Sequence, residues 1–71
     1  MDRSIRQRIE KLIHSYERQM KRNEKKEKEY EGRKEDLSAY GYWQMGMYGA
    51  KAMLYADVID DLRELIEGES K

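Results

Sequence analysis

The chain has 71 residues, no cysteine and one histidine, which excludes a disulfide scaffold, a thiolate metal site and a histidine-based zinc centre within one chain. Its 15 Lys and Arg balance its 15 Asp and Glu, and zero net charge argues against a strong non-specific binder of nucleic acid or membrane. One domain is expected, and a chain this short rarely encloses a core without a staple or a second subunit.

Charged residues make up 42% of the chain, apolar residues 38%, and proline is absent, a composition of long helices rather than of a disordered segment. Ser4 with Gln7 fits a capping box, with Asp2 as a competing cap, so helix 1 should begin near Arg3. Apolar residues recur at Ile5, Ile9, Leu12, Tyr16 and Met20, with Ile13 beside them. Steps of four and three give one narrow heptad-like face. The same register continues through Asn23, Glu27 and Tyr30, so the face turns polar in its second half. Asn23 is either solvated at a frayed seam or a register-setting polar group at a core position.

Residues 17–36 carry fifteen charges of mixed sign. Glu10, Glu17, Glu24 and Glu31 repeat every seven residues, with Lys11, Arg18 and Lys25 as the adjacent row. This fits a solvated helix laced by lateral ion pairs. Carboxylates intercalate throughout the sequence, which weighs against a phosphate-binding stripe.

Gly32 is the expected C-terminal stop of helix 1, because glycine reaches the left-handed conformation cheaply, the alternative being a helix that runs through Gly32 to Asp36 at a cost of about 1 kcal/mol relative to alanine. Helix 1 therefore spans about 3–32 and the turn about 33–37. Ser38 is a good N-cap for helix 2, with Leu37 and Tyr42 placed to form a hydrophobic staple. Helix 2 spans about 38–67, with Gly68 as stop and 68–71 as a short frayed tail.

The expected fold is all-α: an antiparallel two-helix hairpin, coiled-coil-like, dimerising into a four-helix bundle. One antiparallel register pairs Ile5 with Leu65, Ile9 with Leu62, Leu12 with Val58 and Tyr16 with Tyr55. Continued, it pairs Asn23 with Tyr48, Glu27 with Gln44 and Tyr30 with Gly41. Residues 1–22 carry seven cations and three anions, and residues 57–69 carry six anions and one cation, a favourable long-range arrangement in such a hairpin.

Helix 2 opens with an apolar excess that helix 1 cannot cover. At about 100° per residue, Trp43, Met47, Tyr48, Leu54, Tyr55, Val58, Ile59 and Leu62 serve the seam and its flanks. Tyr42, Gly46, Gly49, Met53 and Ala56 form a second stripe, small in its middle. Glycine inside a helix costs roughly 1 kcal/mol relative to alanine, so two on one side suggest a close-approaching neighbour, by steric analogy with small-residue helix packing. The residue types are those enriched at interface centres. The expected partner-binding set is therefore Tyr40, Tyr42, Trp43, Met45, Gly46, Gly49 and Met53, the alternative being a homodimer core.

No catalytic constellation is visible. Ser15 is adjacent to His14 on a helix, so the two point in different directions. Asp57, Asp60, Asp61 and Glu64 read as a solvated acidic face, and the glycines match neither a dinucleotide fingerprint nor a P-loop. No enzymatic activity, metal or cofactor is expected. No run approaches a membrane-spanning length and no secretory signal pattern is seen, so a cytoplasmic setting is expected by default.

Gly41-Tyr42-Trp43-Gln44-Met45-Gly46, followed by Gly49, Ala52, Leu54 and Val58-Ile59-Asp60-Asp61-Leu62, resembles the C-terminal half of short uncharacterised helical proteins encoded by phages of Gram-positive bacteria. The resemblance covers about half the chain and brings no site residues. It implies a small accessory or inhibitory protein acting on a host or defence factor. The hairpin plan is also similar in architecture to Rop-type RNA-binding dimers. The expected function is thus a non-enzymatic protein–protein interaction module, homodimeric, with a host protein as partner. The alternative is a Rop-like dimer binding RNA or DNA through Arg3, Lys11, Arg18, Lys21, Arg22 and Lys25 of helix 1.

Overall fold

A computed structural model describes residues 2–69 as two helices packed side by side. Helix α1 is Arg3–Glu31 and helix α2 is Ala39–Glu69, joined by a single 3-10 turn at Lys34–Asp36. The molecule measures 51 × 15 × 15 Å.

The ends of the elements follow from local chemistry. Asp2, not Ser4, caps α1: its backbone is extended and its Oδ1 accepts from the Ser4 amide at 2.9 Å. The Ser38 hydroxyl accepts from the Gly41 amide at 3.2 Å, the reach of an N-cap. Gly32 ends α1 as its C-cap, where expected, but in right-handed helical geometry, φ −63° and ψ −19°, because the chain continues directly into the 3-10 turn rather than reversing in the left-handed region. Gly68 does not stop α2, which runs on to Glu69. Of the expected frayed tail, Ser70 and Lys71 lie outside the described residues.

The turn is fastened by Tyr42, whose phenol donates to the Lys34 carbonyl at 2.8 Å. Leu37 packs over Gly41: a β-carbon there would lie 3.0 Å from Leu37 Cδ2 and 3.2 Å from its Cβ. Gly41 is buried, so the close approach of loop and helix requires a residue without a side chain.

The seam is one row of residues on each helix. On α1 it runs Ile9, Ile13, Tyr16, Met20, Asn23, Glu27 and Tyr30. On α2 it runs Gly41, Met45, Tyr48, Ala52, Tyr55, Ile59, Leu62 and Ile66. Every member is buried or half-buried, and both rows keep steps of three and four. Ile9, Ile13, Ile59 and Ile66 form the buried cluster at the open end, with Tyr16, Met20 and Leu62 against it. Toward the turn, aromatic stacking replaces aliphatic packing. Tyr16 stacks on Tyr55 at 5.7 Å, and Tyr30 on Tyr48 at 5.8 Å.

This seam corrects the expected one. Ile13 takes the buried place assigned to Leu12, which is 47% exposed. Ile59 and Ile66 replace Val58 and Leu65. Trp43 and Leu54, expected at the seam or its flanks, are 57% and 62% exposed. The expected pairing of Tyr16 with Tyr55 is met in their stack, but Tyr48 stacks on Tyr30 instead of facing Asn23, so toward the turn the partners are displaced from the expected register. Asn23 is a core residue, 7% exposed. Its amide donates to the Gln19 carbonyl of its own helix at 2.7 Å, so its polarity is satisfied without a partner on α2.

Candidate functional site

The seam row divides the remaining surface into two flanks and two outer faces. One flank is marked by the ion pair of Arg63 with Glu17 at 3.4 Å across the helices. Glu10, Glu17, Glu24 and Glu31 of α1 lie along it, beside Tyr42, Gly49, Ala56 and Arg63 of α2. A shallow open groove follows this flank, floored by Gly49, Ala52 and Ala56 and bounded by Glu24, Glu27 and Met53. Gly49 does not face open space. The Glu27 carboxylate lies where its β-carbon would be, with Glu27 Cδ 3.0 Å away. A β-carbon at Gly46 would meet nothing within 4 Å beyond its own helix backbone.

The opposite flank is apolar at its open end. Ile5 and Leu12 lie seven residues apart on α1, and Val58 and Leu65 seven apart on α2. Ile5, Leu12 and Leu65 are exposed and Val58 is half-buried. Leu54, Met47 and Tyr40 continue the apolar surface along α2 toward the turn, all exposed.

The seven residues expected to bind a partner are thus spread around α2. Met45 is in the seam. Gly46, Gly49 and Met53 border the groove, and Tyr42 lies nearer the turn. Trp43 points outward from α2, and Tyr40 stands on the apolar flank, its ring 5.8 Å from that of Trp43. Tyr42 is also engaged with the turn. Ile5, Leu12, Leu54 and Leu65 were not foreseen as surface residues. Their signal was nonetheless present as a third apolar row beside the seam.

The outer face of α1 is basic. Lys11, Arg18, Lys21, Arg22, Lys25 and Lys28 lie away from the seam and all are exposed, with Lys28 at the edge of the strip, where it also lines the groove. Most of the carboxylates that alternate with them lie on the Glu10–Glu31 flank or in the seam, but Glu29, exposed and seven residues after Arg22, shares the outer face and pairs with Lys26 at 3.9 Å. The outer face of α2 is split into an aromatic and methionine-rich half near the turn and an acidic half with Asp57, Asp60, Asp61 and Glu64 toward the open end.

Among the described residues no three His, Asp or Glu side chains converge as metal ligands, and no helix is long and apolar enough to cross a membrane. No family model, curated protein or solved structure matches this chain.

Proposed function

We propose that this protein acts without catalysis, as a protein–protein interaction module that works as a homodimer. The observation that carries the reading is its excess of surface. A compact monomer of 8.6 kDa exposes about 4,700 Å² by the scaling of surface with mass. The hairpin exposes 5765 Å². The difference, roughly 1,000 Å², is on the order of one partner's share of a standard interface, about 800 Å².

The second copy packs on the flank of Ile5, Leu12, Leu54, Val58 and Leu65. Two helices alone need only a two-position seam, whereas helices of a bundle carry a third apolar position on one side. Ile5 with Leu12, and Val58 with Leu65, supply that third position on the same flank of both helices. The other flank carries a row of four glutamates and suits solvent. The half of α2 near the turn, with Tyr40, Trp43 and Met53 exposed, is then left for a different protein. The phage-protein resemblance of Gly41 to Leu62 makes that partner a host or defence factor and the role accessory or inhibitory.

Sedimentation equilibrium tests the dimer. The expected result is a species of twice 8.6 kDa at micromolar concentration, dissociated by Leu12→Asp or Leu65→Asp. A wild-type monomer throughout that range overturns the dimer. Affinity capture with wild type and with Trp43→Ala tests the partner face: a protein retained by the first and lost by the second supports it, and identical captures sink it.

A further inference from the structure

The charges of α1 alternate along the sequence but not around the helix. From Lys11 to Lys28 the charged residues of the outer face are cations, with His14 and Ser15 the other members, and Glu29, seven residues after Arg22, is the carboxylate that closes the run. The strip of six cations is about 26 Å long at the helical rise. The neighbouring carboxylates turn elsewhere. Glu10 meets Arg6 at 3.3 Å, Glu17 meets Arg63 at 3.4 Å and His14 at 3.7 Å, and Glu29 meets Lys26 at 3.9 Å. Glu27 lies over Gly49. None of the six strip cations has a carboxylate within ion-pair distance among the described residues. Arg18 with Lys21 and Arg22, and Lys25 with Lys21, Arg22 and Lys28, are like charges at helical neighbour spacing, which is unfavourable to the isolated helix.

We infer that the outer face of α1 is a docking strip for the phosphodiester backbone of a nucleic acid duplex. The inference is independent of the dimer and of the partner face on α2. Three features select this ligand among polyanions. Its cations recur along about 26 Å of one helix side, a row of separated charges that suits a row of phosphates. It contains no apolar side chain, whereas a helix lying on a membrane inserts an apolar face among its cations. It offers no pocket for an aromatic or aliphatic anchor, which a protein partner's binding centre needs. Such contacts fix position on a backbone and read no sequence. Zero net charge of the whole chain, with Glu29 beside the strip and most other acids on α2 and the glutamate flank, keeps the binding weak and highly sensitive to salt.

The test uses the full chain and a fluorescein-labelled duplex of about 20 base pairs, DNA or RNA, followed by anisotropy between about 50 and about 200 mM salt. Engagement of four or more phosphates predicts a loss of affinity of about 100-fold or more over that range. Arg18→Gln/Arg22→Gln/Lys25→Gln keeps helix-forming residues at all three places and should weaken binding at least about tenfold, with a salt slope shallower by about 2.7. Lys51→Gln on α2 should change neither. Circular dichroism of the triple variant, unchanged from wild type, completes the expected result. The inference is overturned by wild-type affinity equal to that of the triple variant, or by binding indifferent to salt. Preferential binding to phosphatidylserine vesicles overturns it in favour of a membrane surface. A triple variant whose only change is in self-association also overturns it, and assigns the strip to the acidic half of a second copy.

Discussion

Tyr30 and Tyr48 stack at 5.8 Å across the turn half of the hairpin, and a cation covers each end of the pair. The Arg33 guanidinium lies 5.3 Å from the Tyr30 ring and the Lys51 ammonium 5.9 Å from the Tyr48 ring. Here α1 has Asn23 and Glu27 where the open end has isoleucines, so the aromatic pair supplies the cross-helix contact that aliphatic side chains supply elsewhere. A double-mutant cycle with Tyr30→Leu and Tyr48→Leu should return a coupling of about 0.5 to 1.5 kcal/mol. Additive losses in urea unfolding would mean that the two rings act only through their separate burial.

The displaced seam separates two adjacent residues. Ile13 is buried and Leu12 about half exposed, so Ile13→Ala should cost about 2 to 5 kcal/mol. Leu12→Ala should cost clearly less in the dissociated hairpin and act mainly by weakening the dimer. Thermal melts at several protein concentrations read the difference: a concentration-independent fall for Ile13→Ala, and a concentration-dependent one for Leu12→Ala. The reverse pattern would restore the register with Leu12 in the core.

Three glycines of α2 should respond differently to alanine. Gly46 faces open space, and Gly46→Ala should stabilise by about 0.5 to 1 kcal/mol through helix propensity. Gly41→Ala should destabilise, because its β-carbon meets Leu37 at 3.0 Å. At Gly49 the obstacle is the end of the flexible Glu27 side chain, which can swing into solvent, so Gly49→Ala should be close to neutral. Melting temperatures of the three variants order them, and a destabilised Gly46→Ala would show that something packs on that face.

Asn23 is buried yet bonds only to its own helix. Replacing it with an apolar residue of similar shape removes a polar group without orphaning a side-chain partner. Asn23→Leu should therefore be neutral or stabilising by about 1 kcal/mol. A loss of stability on denaturant unfolding would point to a role in setting the register of the seam.

The cap of α1 gives a local test. Asp2→Ala should cost about 0.5 to 2 kcal/mol by freeing the Ser4 amide, and Ser4→Ala should cost little. Equal losses would mean that Ser4 also caps.

The two helices, the Ser38 cap and the reversal between residues 32 and 38 were legible in the sequence, because caps, turn residues and 3.6-residue periodicity act over one or two turns. The choice of seam was not legible. Leu12 and Ile13, Val58 and Ile59, and Leu65 and Ile66 are neighbours of similar hydrophobicity, so the apolar stripe is three positions wide and admits two antiparallel pairings. One residue is a rotation of about 100°, and the choice between those pairs relocates everything else. With Ile13, Ile59 and Ile66 inward, Trp43 and Leu54 turn outward, Gly49 comes under Glu27, and Glu10, Glu17, Glu24 and Glu31 fall on one flank of α1. Propensity and capping, which are local, determined the elements. Tertiary packing decided their rotation, because only the approach of the second helix lets the burial of Ala52 and the tyrosine stacks choose between two rows that hydrophobicity alone cannot rank.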